Sequence, residues 1–431
     1  MIFIDVKKNE IVGKIKPMHC VNNFPSMGSA YNESFAALKI PYSRLHDTAI
    51  LNPHLVDIPS VFPNFDADEN DENSYDFAFT DFFIKRLHDM GVETFYRLGV
   101  TIENYAKIKA YHVKPPKDFA KWARICEHII LHYNYGWANG FRFGLKYWEI
   151  WNEPDNEPNY KVSQTWQGTF EEFLKFYEIV SNHLKNNFPE LKIGGYASCG
   201  FYAILGRKAT EQANVSARSE YFVKCFVHFL EYISSKEHKS PLDFFSWHSY
   251  GNVEQNPEYA RYCRETLDKY GFKETESILN EWNPSMYMRG SLIDSSNVLA
   301  NMLALQNSPL DMLMYYDFKE NSSFCGAFNP INKSMFKTYY VFKAFSTLYE
   351  LKNCVKCDTE LSPEVFAVAA FDGSNGALVI TNNSKQVNEF TITGIKIKDF
   401  YLLSKEQDLE IVKYGEIFSL KPFESVMIKF I

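Results

Sequence analysis

The chain has no apolar run of about 18 residues, so none of it reads as a membrane-spanning helix. It has no basic block either. Its net charge of −8 argues against nucleic acid and anionic membranes as partners. The start, Met1-Ile2-Phe3-Ile4-Asp5, lacks a basic leader, and its apolar run breaks at Asp5. That is not the pattern of a secretion signal, and a cytoplasmic location is expected. No cysteine framework is visible. The eight cysteines are scattered and several sit in apolar context, as buried free thiols in a reducing compartment do. Cys354 and Cys357 have the spacing of half a zinc site, but no second half follows. Internal repeats and low-complexity segments are also missing, and no feature sets the oligomeric state.

What is present is core material. With 431 residues and 46% hydrophobic content, the chain can fill one barrel of about 250 to 350 residues and a small accessory domain. Aromatics make up 16%. That suits a carbohydrate binder, since sugar C–H faces pack on rings, and it suits a large barrel core equally.

Two stretches share one grammar. Tyr147-Trp148-Glu149-Ile150-Trp151-Asn152-Glu153-Pro154 begins with strand-favouring residues and stops at a proline that cannot serve a central ladder. Glu153 therefore falls where the strand ends. Ser277-Ile278-Leu279-Asn280-Glu281-Trp282-Asn283-Pro284 repeats the pattern with Glu281. Either glutamate alone could be a structural strand-end carboxylate. Two at the ends of parallel strands are the apparatus of glycoside hydrolysis, where one protonates the leaving oxygen and the other attacks the anomeric carbon. A carboxyl held among aromatics has a raised pKa, as a general acid near neutral pH needs. This chemistry requires no metal or organic cofactor.

From Lys14 onward strand and helix signals alternate. Strands are read near 15–20, 40–47, 93–99, 147–153, 191–197, 242–250, 277–281 and 311–317. The intervening helices include one over 118–133, whose Trp122, Ile125, Cys126, Ile129 and Ile130 recur at helical spacing. Eight such pairs predict a (β/α)8 barrel over 14–351. After 352 the runs become short, β-type and separated by Gly, Asn and Ser, which predicts a small antiparallel β-sandwich over 352–431, joined by a strand from 1–13. A long Pro- and Asp-rich loop spans 52–75.

Barrel enzymes work at the C-terminal ends of their strands. Those ends supply His19 from strand one, Arg44 and His46 from strand two, Arg97 from strand three, and Asn152 and Glu153 from strand four. Strand six adds His248 and Tyr250, strand seven Glu281 and Trp282, and strand eight Tyr315, Tyr316 and Asp317. Arg44 is a candidate to pair with Glu281 and keep it ionised, or to form a purely structural ion pair. His248 reads either as a ligand to Glu281 or a sugar hydroxyl, or as a satisfied core histidine. Tyr250 is placed to orient a carboxylate. Trp282, Trp166, Tyr287 and Phe324 could wall a sugar pocket or simply fill core.

The two motifs, with Ser246-Trp247-His248-Ser249-Tyr250, resemble those of the clan A retaining glycoside hydrolases. They are most similar to family 39, the β-xylosidase and α-L-iduronidase family. The resemblance spans roughly 14–350, and that family also carries a β-sandwich. It implies Glu153 as acid/base, Glu281 as nucleophile, Asn152 as ligand of the 2-hydroxyl, and Arg44 as partner of the nucleophile. The implied partner is an oligosaccharide or glycoside, with β-xylosides first. An iduronidase-like, uronate-directed alternative would need a cation on the sugar carboxylate, for which Arg97 and Arg289 are candidates. A further alternative is a catalytically silent sugar-binding barrel. One departure stands out. Many clan A enzymes end strand eight with a tryptophan that floors the attacked sugar, and here the end reads Tyr315-Tyr316-Asp317-Phe318.

Overall fold

The computed structural model describes residues 1–25, 30–48, 54–102, 112–209 and 216–431. The loop read at 52–75 and the helix read from Ser29 each fall partly outside them. After β1 (Ile2–Lys14) come β2 (Cys20–Asn22), β3 (Tyr42–Leu45), β4 (Glu93–Leu98), β5 (Tyr147–Ile150), β6 (Lys192–Ser198), β7 (Phe244–Ser249), β8 (Glu276–Trp282) and β9 (Met312–Tyr315). Strands β2 to β9 pair in parallel, in sequence order, and close into a barrel. Helices α1 (Asn32–Ala36), α2 (Ile58–Val61), α3 (Ala78–Asp89), α4 (Phe119–Tyr135) and α5 (Phe170–Asn187) connect its first half. Helices α6 (Tyr202–Ala209), α7 (Ala217–Ser234), α8 (Asn256–Lys269), α9 (Leu292–Gln306) and α10 (Lys337–Leu351) serve the second. Local chemistry fixes their ends. Asp118 caps α4 by accepting from Lys121 N, and Gly136 closes it with φ 81. Thr169 and Glu172 form a capping box on α5.

Alternation along each strand sorts the barrel residues into two sets. Outward side chains such as Trp148, Ile150, Trp247, Leu279 and Leu313 join helix residues including Trp122, Phe229 and Phe342 in the main core. Inward side chains at the N-terminal end, among them Phe95, Tyr147, Phe244, Ile278 and Met314, form a separate apolar plug. Above that plug the inward positions turn polar.

The rest of the chain forms β10 (Asn353–Thr359), β11 (Val365–Phe371), β12 (Gly376–Asn382), β13 (Asn388–Thr393), β14 (Ile397–Leu403), β15 (Asp408–Ile411), β16 (Ile417–Leu420) and β17 (Ser425–Phe430). With β1 they make one nine-stranded sheet, ordered β15-β14-β17-β12-β11-β10-β1-β13-β16. The sheet curls round its own core, which holds Ile4, Leu378, Ile380, Phe390 and Ile428. β1 lies between β10, to which it runs antiparallel, and β13, to which it runs parallel. The opposite face of β12 docks on the barrel helices, where the hydroxyls of Ser296 and Thr381 lie 3.0 Å apart. The fold is a (β/α)8 barrel with an accessory β domain. Cys354 and Cys357 lie on β10, and all eight cysteines are unpaired.

Candidate active site

The end of β5 is built to turn the chain inward. Trp151 leaves the strand with φ 72 and Glu153 follows with φ 48, a backbone region that non-glycine residues seldom occupy. Gly99 on the neighbouring strand end makes room, because a Cβ there would come within 2.9 Å of the Trp151 Cα. The Trp151 ring anchors outward, edge-on to Trp166 at 5.0 Å, and its Nε1 donates to Thr165 O at 3.0 Å. Asp155 fastens the following loop to β6 by accepting from the Ser198 hydroxyl at 2.7 Å and from Cys199 N at 3.2 Å. Burial pushes the Asp155 carboxyl up to about 7. On β8, the register against β7 slips between Leu279 and Glu281. A slip of this kind re-aims side chains.

Beneath both strand ends lies a buried polar layer. Arg44 is its hub. Its Nε donates to Glu149 Oε2 at 2.7 Å, Nη2 to Asn152 Oδ1 at 2.6 Å, and Nη1 to Asn22 Oδ1 and Glu281 Oε2, each at 3.3 Å. The other oxygen of Glu149 accepts from the Ser246 hydroxyl and Asn280 Nδ2, both at 2.6 Å. Burial works against the Arg44 charge, but Glu149 and Glu281 outweigh it and raise its pKa.

Glu153 and Glu281 stand above this layer with oxygens within 4.8 Å of each other and of a His248 ring nitrogen. His248 Nδ1 is 2.8 Å from Glu153 Oε1, and its Nε2 is 3.7 Å from Glu281 Oε2. Asn156 Nδ2 donates to Glu153 at 2.7 Å, and the Tyr250 hydroxyl donates to Glu281 Oε1 at 2.7 Å. Burial pushes both carboxyls up. At Glu153 the pull of His248 and Asn156 prevails and lowers it. At Glu281 burial prevails over the pull of His248, Arg44 and Tyr250. Burial also opposes a charged His248, yet Glu281 and Glu153 together raise it. The three groups lie close enough for the protonation of each to depend on the others. They are also the one cluster among the described residues placed to hold a cation.

The structure brings Arg44, Asn152, Glu153, His248, Tyr250 and Glu281 together. His46 stands just above Arg44, and its pKa falls through burial and the charges of Arg44 and Arg97. Three readings need correction. His19 precedes β2 instead of ending it, so it lies at the opposite mouth, against Phe345 and Tyr349. Burial pushes it down to about 3, as for a neutral core histidine. Tyr315 points outward into the core, edge-on to Trp282 and Phe342, with its hydroxyl on Phe324 O. Trp282 packs beside it, fully enclosed, and adds no open wall. Alternation places Tyr316 inward instead. Its hydroxyl donates to Asp47 Oδ2 at 2.9 Å, and its ring meets Phe324, which continues to Tyr250. Trp166 is core, and Tyr287 is 92% exposed. Arg97 pairs with buried Asp57 at 2.6 Å. Arg289 donates to Ser322 O across the Phe336 ring. Glu149 is the residue that reading only strand ends passes over. The inward parity set by Tyr147 is the signal that finds it.

The model of glycosyl hydrolases family 39 matches residues 2–354. The chain belongs to this family. It is therefore a retaining O-glycosyl hydrolase. A β-xylosidase of Caldicellulosiruptor saccharolyticus is 25% identical over 369 residues, covering 76% of this chain and 68% of the relative. Among solved structures, a glucosidase from Croceicoccus marinus superposes with TM-score 0.77 at 18% identity, covering 100% of this chain and 99% of its own. A monomeric β-xylosidase from Caulobacter crescentus CB15 gives 0.68 at 15% identity, with 99% of both chains covered. These likenesses place the family 39 barrel and its accessory sheet in one fold. Among the described residues no helix is long and apolar enough to cross a membrane.

Proposed function

We propose that this family 39 chain cleaves β-xylosides by double displacement. Glu281 attacks the anomeric carbon and forms a glycosyl-enzyme. Glu153 protonates the leaving oxygen, then as a base activates the water that releases the sugar. The observation that carries this reading is the spacing of the two carboxyls. One oxygen of each lies within 4.8 Å of the other, closer to the spacing of about 5–5.5 Å between carboxyl groups that direct attack uses than to the about 6.5–9.5 Å of an inverting pair. Arg44 and Tyr250 both donate to Glu281, which favours its charged, nucleophilic form. The acid role puts the shared proton on Glu153, with neutral His248 accepting at Nδ1. Glu153 then loses the pull of the His248 charge, and burial raises its carboxyl.

Asn152 presents an unpartnered, buried Nδ2 toward a 2-hydroxyl, since Arg44 occupies its Oδ1. Tyr250, Phe324 and Tyr316 supply ring surface for the sugar. The name of the Caldicellulosiruptor relative favours xylose. No observation favours a uronate, because Arg97 and Arg289 are engaged with Asp57 and Ser322. A panel of aryl glycosides tests the substrate: xyloside, arabinosides, glucoside, galactoside, glucuronide and iduronide. The expected result is fastest turnover of the β-xyloside, with β-xylose as the first-formed product by NMR. Preference for another glycoside would overturn the sugar, and first-formed α-xylose would overturn the mechanism.

A further inference from the structure

Arg44 carries one positive charge and faces two carboxylates, and the nearer is not the proposed nucleophile. Its Nε is 2.7 Å from Glu149, while Nη1 reaches Glu281 only at 3.3 Å. Glu149 is fully buried and each of its oxygens is engaged, one by Arg44 and the other by Ser246 and Asn280. These contacts tie it to β3, β7 and β8, the strands that deliver Arg44, His248 and Glu281.

We propose that Glu149 is a positioning residue for the hydrolysis, acting through Arg44. It holds the guanidinium so that Nη2 orients Asn152 while Nη1 only grazes Glu281. The nucleophile stays charged without being clamped. A guanidinium free of Glu149 would close on Glu281 as a bidentate pair, the stronger and shorter geometry. That pair would withdraw electron density from the attacking oxygen and draw it away from the sugar. The inference rests on Glu281 being the nucleophile, as proposed above.

Glu149→Gln tests it. The amide matches the carboxylate in shape. Its carbonyl can still accept from Arg44, and its NH2 can donate to the Ser246 oxygen once that hydroxyl turns and to Asn280 Oδ1 once that amide flips. The charge that holds Arg44 off Glu281 is lost while an acceptor for its Nε remains. A shift of the nucleophile on the scale of 1 Å predicts a fall in kcat of about 10²-fold, with KM changed by less than about threefold. The acid limb of kcat/KM should move to lower pH, because the Arg44 charge then serves Glu281 alone. Glu149→Asp keeps the charge and should recover part of kcat. A lowered Tm with wild-type kcat per active site and an unmoved acid limb would overturn the proposal, leaving Glu149 a structural residue. Should Glu149→Gln fail to fold, Glu149→Asp carries the test. Its charge is withdrawn by one methylene, so kcat and the acid limb should move the same way but less, and wild-type values for both would overturn the proposal. Covalent trapping of the unmutated enzyme runs alongside. Absence of label on Glu281 there sinks the mechanism itself, whereas label on Glu281 with a silent Glu149→Gln sinks only this inference.

Discussion

The barrel interior has two halves made from the same eight strands and the same inward parity. At the N-terminal end, Phe95, Tyr147, Phe244, Ile278 and Met314 pack as a dry plug. Two residues further along β5, β7 and β8 stand Glu149, Ser246 and Asn280, and β3 adds Arg44, all buried and all polar. The lower half needs only shape and apolar area, each side chain contributing about 1.5–3 kcal/mol by leaving water. The upper half needs every charge answered, because an uncompensated buried charge is far costlier. Stability is concentrated below and chemistry above, with Glu149 at the seam.

Removing the nucleophile, which stands above the Arg44–Glu149 pair and leaves that pair intact, should abolish turnover and leave folding nearly intact. Glu281→Ala is expected to lower kcat on the order of 10⁴-fold or more, with Tm close to that of the unmutated enzyme. A loss of tenfold or less would remove the nucleophile from the account. The lower half should respond in the opposite sense. Phe244→Ala leaves a cavity in the plug and should cost about 3–5 kcal/mol of stability, read by denaturant unfolding, while kcat per folded molecule stays within a few fold. A large loss of kcat with unchanged stability would erase the distinction between the halves.

The pH profile sharpens the comparison within the upper half. Two carboxylates raise the His248 pKa, so the proton shared by Glu153, His248 and Glu281 is held beyond the ordinary histidine value of about 6.5. Activity requires that proton and should decline as pH rises through this elevated value. His248→Asn should bring the basic limb down by about one pH unit or more. An unmoved limb would assign the proton elsewhere. The smallest effect expected is that of the paired tyrosines. Tyr316→Phe should raise KM, since its hydroxyl fixes Asp47 and its inward ring beside Phe324 is proposed to meet the sugar. Tyr315→Phe should leave KM alone and cost about 0.5–1.5 kcal/mol for its lost bond to Phe324 O.

Much of this was legible in the sequence because strand ends announce themselves. Glu153 and Glu281 each follow an apolar run and precede a proline, and both lie in the site. Arg44, Asn152, His248 and Tyr250 were reached the same way. Parity was harder. Met312 points inward, so Met314 and Tyr316 do too, and Tyr315 must face the helices. A reading that names both tyrosines without fixing the phase cannot separate floor from core. His19 was misplaced because β2 is only three residues long and begins after it. Short barrel strands give little alternation to count. Glu149 sits mid-strand, where a carboxylate is normally excluded, and only its partners on β3, β7 and β8 account for it. Those partners are distant in sequence.

The central claim is that Glu281 becomes covalently bonded to the sugar. Incubation with an activated 2-deoxy-2-fluoro-β-xyloside, followed by mass spectrometry of proteolytic fragments, measures this directly. The account predicts time-dependent inactivation, one fluoroxylosyl group per chain, and the label on the peptide containing Glu281. Label on any other carboxylate, Glu153 included, would contradict it.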